Sequence, residues 1–127
     1  MDADEKRALI ARYIDAYNSF DIERIMEVVH SDIEFVNFSG EEVTASASGW
    51  SEFRSLAEQS KRLFASRKQT ITKFEHGGEG ALVEIIFTGV LAEDLPNGMK
   101  AGETLRLTGR SELEFRDGKI CRLYDYS

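Results

Sequence analysis

Five polar side chains in this sequence have the type and setting for proton-transfer chemistry. Asp125 lies in the stretch Lys119 to Ser127, on the alternating parity of Cys121 and Leu123. If that parity faces an interior, the charged carboxylate loses solvation, its pKa rises, and it can serve as a general acid or base near neutral pH. The opposite parity, Ile120, Tyr124 and Tyr126, is also apolar, so alternation alone leaves the facing open. Tyr13 and Tyr17 lie one helical turn apart on an apolar stripe, where a phenol buries its ring and offers its hydroxyl. Asn37 is the polar member of the face Ile33, Phe35, Asn37, and Ser111 interrupts the face Leu107, Leu113, Phe115. A buried amide or hydroxyl needs a partner, which a ligand can supply. Each has a structural alternative: a salt-bridged surface acid for Asp125, plain core for the tyrosines, and room for a neighbouring element for Ser111.

Other chemistries have less support. A nucleophilic serine needs an adjacent base. The two histidines do not provide one: His30 stands at the expected end of a helix, where a cation is favourable, and His76 stands in a glycine-rich turn. The single Cys121 makes neither an internal disulfide nor a metal motif, so no metal and no cofactor is expected, and a reducing, cytoplasmic setting is the default. The net charge of −7 argues against nucleic-acid binding and against an acidic membrane surface. The densest basic run, Lys61 to Lys68, reads as a solvated face at a helix C-terminus. No apolar run approaches the about 18 residues of a membrane span, and the acidic start does not resemble a signal peptide.

The elements that must position these groups follow from periodicity. Leu9, Ile10, Tyr13, Ile14 and Tyr17 predict a helix over residues 3–18, opened by Asp2 and Glu5 as a capping box. Asp21 caps a short second helix with Ile22, Ile25, Met26 and Val29 on its buried side, ending at His30-Ser31-Asp32. Residues 33–38 form a strand, and the small, polar residues 39–48 read as a loop. A third helix over about residues 49–65 carries Phe53, Leu56, Ala57, Leu63 and Phe64, with Trp50 in its first turn. Strands are expected over residues 68–75 and 81–91, joined through His76 to Gly80. After a loop over 92–102, residues 105–127 form a hairpin around Asp117-Gly118, a pair suited to a tight turn. With 127 residues and no linker or repeat, a single domain spanning 1–127 is expected.

Segregated helices and strands define an α+β chain, with three N-terminal helices on a strongly curved, mainly antiparallel sheet. The order resembles the nuclear transport factor 2-like superfamily, in its SnoaL-like and ketosteroid-isomerase-like branches. The resemblance rests on Ala11 to Tyr17 followed by Asp21 and Ile25, on His30-Ser31-Asp32, and on Gly49 opening a helix. It extends to Asp94-Leu95-Pro96, Gly102, and Phe115 to Ile120 running on to Asp125-Tyr126. It implies a cone-shaped barrel with an internal cavity. Trp50, Phe53, Phe64, Phe87, Leu91 and Leu123 would supply the apolar wall, with Tyr17, Asn37 and Ser111 as polar contacts. In the isomerase branch the helix-1 tyrosine falls on Tyr13, the general base on Asn37 and the second oxyanion donor on Ser111. An amide cannot abstract a proton, so a standard ketosteroid isomerase is not expected. In the SnoaL-like cyclases an aspartate in the last strand is the acid/base, and Asp125 fits it.

The resulting expectation is a domain that binds a small apolar molecule and acts as a cofactor-independent isomerase, cyclase or hydratase. Asp125 would be the acid/base and Tyr13 the donor to a carbonyl. A non-catalytic ligand-binding or protein-interaction module of the same fold is the alternative. Ile86 and Val90 on the outer sheet face further predict a homodimer through that face.

Overall fold

The computed structural model describes residues 1–127. Its elements run α1 (Ala3–Asn18), α2 (Ile22–Val28), β1 (Val29–Ser39), β2 (Glu42–Ser48), α3 (Trp50–Leu63), β3 (Phe64–Gly77), β4 (Gly80–Leu91), β5 (Thr104–Arg116) and β6 (Lys119–Tyr126). The six strands form one sheet in the order β2-β1-β6-β5-β4-β3. Every pairing is antiparallel except β1 with β6. The sheet curls without closing into a barrel, because β2 and β3 remain as two free edges. No helix is long and apolar enough to cross a membrane.

Local chemistry explains the starts and stops. Asp2 accepts from the Glu5 backbone while Glu5 accepts from the Asp2 backbone, which satisfies orphan donors at the start of α1. Asp21 accepts from the Arg24 backbone and opens α2. The β5–β6 turn is carried by Asp117 and Gly118, both at positive φ (55° and 73°), as a two-residue type I′ hairpin requires.

Helices α1 and α2 lay Leu9, Ile10, Ile14, Ile25 and Met26 onto Ile33, Leu113, Phe115, Ile120 and Leu123 of the sheet, making a fully buried core. Lys6 is buried with them: its Nζ lies 2.8 Å and 3.1 Å from the carbonyl oxygens of Gly78 and Gly80 and 3.2 Å from His76 Nδ1. This ties α1 to the β3–β4 turn. His76 thus ends β3 beside Lys6, although it remains exposed as expected.

Four local expectations need correction. Residues 39–48 are not a loop: after a short turn, β2 pairs with β1 as the edge of the sheet. Strand β1 starts at Val29, directly from α2, so His30 is in a strand; its Nε2 lies 3.2 Å from Asp117 Oδ2. The basic run is only partly solvated, since Arg67 is buried. Strand β6 carries a register shift: Phe115 faces Ile120, yet Leu113 faces Leu123. A bulge of this kind turns the parity over, so both Ile120 and Leu123 point inward.

Candidate functional site

Beyond the packed core the concave face opens into a cavity of about 510 Å³. Its roof is α3, whose stripe of Phe53, Leu56, Ala57, Ser60 and Leu63 faces it. Only Phe53 on α3 is fully buried, because the rest of that stripe meets open space. The far walls are Phe64 of β3, Ile85 and Phe87 of β4, and Leu105 and Leu107 of β5. Leu107 is 41% exposed although its parity is inward, which places it at the rim. Gly89 makes the packed end-wall possible: a Cβ there would sit 2.7 Å and 2.9 Å from the Phe64 and Phe87 rings, which meet edge to face with centroids 5.3 Å apart.

Asp125 lines this cavity, and register explains its company. Asp125 stands opposite Asn37 of β1 on one side and Ser111 of β5 on the other. One rung across three strands therefore carries all three polar groups on the concave face. Ser111 Oγ donates to Asp125 Oδ1 at 2.6 Å. The carboxyl keeps contact with the cavity and is largely enclosed by the surrounding protein. That burial raises its pKa from 3.8 to about 6, against the opposing effect of the Ser111 hydrogen bond.

The tyrosines flank the carboxyl from α1. Tyr13 and Tyr17 both line the cavity, with ring centroids 6.4 Å apart. Burial, then the nearby Asp125, pushes the Tyr13 hydroxyl well above its ordinary pKa of 10.0. It stays protonated and so keeps a hydrogen to donate to a ligand oxygen. Tyr17 is also raised, by burial, but Arg67 opposes the shift. Asn37 lines the cavity too; its Nδ2 donates to Thr44 Oγ1 at 2.7 Å rather than to Asp125. No three metal-ligating side chains converge anywhere in the structure.

Of the expected ligand contacts, Tyr13, Tyr17, Asn37, Phe53, Phe87 and Asp125 converge on the cavity. Four expected lining residues do not; the first, Leu91, is 1% exposed at the end of β4 and does not reach the cavity. Ser111 is 5% exposed and sits behind the carboxyl, where it holds Asp125. Leu123 is 1% exposed and belongs to the packed core, because the β6 bulge turns it onto the helices. Trp50 is 39% exposed and stacks against Arg54, since the first turn of α3 starts outside the cavity mouth. Arg67, Gln69 and Gln59 are polar residues at or beside the cavity that periodicity did not single out. The parity of Arg67, Gln69 and Ile71 would have found two of them, but the basic run around Arg67 hides it.

The comparisons with known proteins bear on the family and the fold. A SnoaL-like domain model matches residues 10–123, and the chain belongs to that family. No curated protein matches it. Among solved structures, TsrD from Streptomyces laurentii superposes with a TM-score of 0.81 at 16% identity, covering 98% of this chain and 89% of that one. IdmH from Streptomyces antibioticus, a candidate polyketide cyclase, gives 0.76 at 16% identity, covering 94% and 89% of the two chains. An epoxide hydrolase of the LEH-like kind from M. tuberculosis gives 0.76 at 15% identity over 96% and 77%. At these identities the likeness is one of fold, the nuclear transport factor 2-like fold of three helices on a curled sheet.

Proposed function

We propose that this domain binds a small, largely apolar molecule carrying a carbonyl group and catalyses a cofactor-independent proton transfer on it, of the isomerase, cyclase or hydratase type. One observation carries the reading: a carboxyl with a pKa of about 6 lies in an apolar cavity, fixed by Ser111 at 2.6 Å and flanked by Tyr13. Such a group is an effective base just above its pKa and an effective acid just below it. Asp125 takes a proton from the carbon beside the carbonyl and returns it elsewhere on the substrate. A tyrosine hydroxyl donates to the carbonyl oxygen as charge develops there. Asn37 orients the substrate from the next strand.

Turnover on a panel of ketones and enols, by native protein and by Asp125→Asn, tests this. Loss of activity by a factor of about 100 or more in the variant, with binding retained, is the expected result. Equal rates would leave a binding module without acid/base chemistry at Asp125.

Two copies of the domain would pair through the outer sheet face. That surface carries the aliphatic pair Ile86 and Val90 and, across Arg110 and Glu84, Phe38 stacked on Tyr126 with centroids 4.8 Å apart; apolar groups of this kind often mark interfaces. Sedimentation of native protein and of Ile86→Lys would read it: a dimer that becomes a monomer is expected, and a native monomer rejects it.

A further inference from the structure

Behind the cavity wall made by Tyr17, Ser60 and Gln69 stands a second polar group, opposite in character to the Asp125 rung. Arg67, on β3, is 5% exposed. Its Cζ lies 3.6 Å from the Tyr17 ring centroid and 4.5 Å from that of Phe20. Its Nε donates to the Tyr17 carbonyl at 2.9 Å, and one terminal nitrogen donates to Ser60 Oγ at 3.3 Å. No carboxylate pairs with it; the Tyr17 carbonyl, Ser60 Oγ and the faces of the Tyr17 and Phe20 rings are what hold its charge. A buried cation without a counter-ion is costly, and such a charge is normally paired.

The surroundings look built to hold it. Phe20, the residue against one side of the guanidinium, adopts φ 57°, a left-handed conformation that a bulky side chain takes only when its surroundings impose it. Asn18 and Gln69 clasp each other, Asn18 Oδ1 accepting from the Gln69 backbone at 2.8 Å and Asn18 Nδ2 donating to the Gln69 carbonyl at 3.2 Å. This fixes the end of α1 against β3 and keeps Tyr17, Ser60 and Gln69 together on the cavity wall.

We propose that Arg67 and Tyr17 form an anion-holding pole, so that the carbonyl oxygen of the substrate points at Tyr17 and becomes an enolate oxygen there when Asp125 removes the adjacent proton. This rests on the acid/base reading of Asp125 and narrows it: the substrate is an enolisable ketone, and its oxygen lies on the Arg67 side. In the step, the C–H bond breaks, its proton passes to the Asp125 carboxylate, and its electron pair forms the C=C bond. The carbonyl π pair moves onto oxygen. No oxidant or further reactant is needed. Arg67 is a positioning residue, acting through the Tyr17 ring and hydroxyl, and it supplies the positive charge that the developing oxyanion requires. It also divides the labour between the tyrosines: Tyr17, with the cation against its ring, holds the oxyanion, while Tyr13 stays a neutral donor near Asp125.

Naphthols test the pole directly, because their fluorescence separates phenol from phenolate. 2-Naphthol and naphthalene are titrated into native protein, Arg67→Met, Arg67→Lys, Tyr17→Phe and Tyr13→Phe, at a pH where free naphthol is mostly neutral. In native protein bound naphthol should be ionised more than free naphthol. Arg67→Met and Tyr17→Phe should each reduce that ionised fraction by about tenfold while naphthalene affinity stays within about twofold. Arg67→Lys should restore part of it, and Tyr13→Phe should change it less than Tyr17→Phe. An ionised fraction unchanged in both Arg67→Met and Tyr17→Phe overturns the pole, as does naphthol bound only in its neutral form. If Arg67→Met does not fold, Arg67→Lys and Tyr17→Phe decide. Asp125→Asn keeps the two readings apart: it should ionise bound naphthol further by removing a negative charge from the cavity. No change in that variant with the Arg67 effect intact rejects the base and keeps the pole. If neither naphthol nor naphthalene binds, both readings fail together.

Discussion

The two ends of the concave sheet use similar apolar side chains and treat them differently. At one end Ile10, Ile33, Ile120 and Leu123 are all but completely buried between helices and strands. At the other, Leu56, Ala57, Leu63 and Phe87 face a cavity of about 510 Å³. An apolar side chain that meets empty space forgoes dispersion contacts, so the open end contributes less per residue to stability than the packed end. Stability is concentrated where α1 and α2 sit, which leaves α3 and the rim strands to accommodate a ligand. Asp125 lies at the seam, two residues beyond Leu123.

The largest effect is expected at the seam. Asp125→Asn should lower turnover by about 100-fold or more and at the same time stabilise the protein at neutral pH. The sign follows from the raised pKa. The folded state holds the proton up to about pH 6, whereas the unfolded chain releases it near 3.8. Burying the ionised carboxylate is therefore a penalty that is complete above about pH 6 and relieved as pH falls towards 3.8, on the order of 3 kcal/mol. Melting temperatures across pH should show the variant above native protein at pH 7.5 and the two converging near pH 4. A variant no more stable at pH 7.5 would place the carboxylate in a better-solvated setting.

The packed and open ends can be compared by truncation. Ile120→Ala should cost about 2–5 kcal/mol in denaturant unfolding. Leu56→Ala should cost about 1 kcal/mol or less, since part of its surface already faces the void, but should alter ligand affinity. Similar costs at the two sites would mean that the open end collapses in solution. A smaller effect is expected at Ser111: Ser111→Ala removes the hydrogen bond that holds the Asp125 pKa down, so the pH midpoint of activity should move above about 6. The smallest is at Trp50. Trp50→Ala should leave both turnover and ligand affinity within about twofold, because its ring lies outside the cavity against Arg54.

The same contrast explains what the sequence revealed. Elements with one solidly buried face, such as α1 and β5, were legible because burial writes a strong period into the residue types. Strand β2 was not, because an edge strand of Glu, Val, Thr, Ala and Ser that stays mostly exposed carries no apolar alternation. The facing of Asp125 was ambiguous for a definite reason: the β6 bulge turns the parity over, so both readings of that strand contained a buried residue. The polar rung was legible as three exceptions on apolar faces, though not that Ser111 would serve Asp125 rather than a ligand. Arg67 escaped because its neighbours in sequence are basic and solvated, and only the fold separates it from them.

The rung formed by Asn37, Asp125 and Ser111 has a consequence for how such a site changes over time. Each side chain hangs from a different strand, and the backbone ladder sets the spacing of their attachment points. Any one can be exchanged without moving the backbone that carries the other two. A carboxyl at position 37 or 111 would bring a second acid beside Asp125 and convert a lone base into a pair sharing a proton, while the isoleucines of the packed end went on specifying the fold. The sheet thus behaves as a keyboard whose keys are rewritten singly, so new chemistry is a few point substitutions away rather than a new architecture.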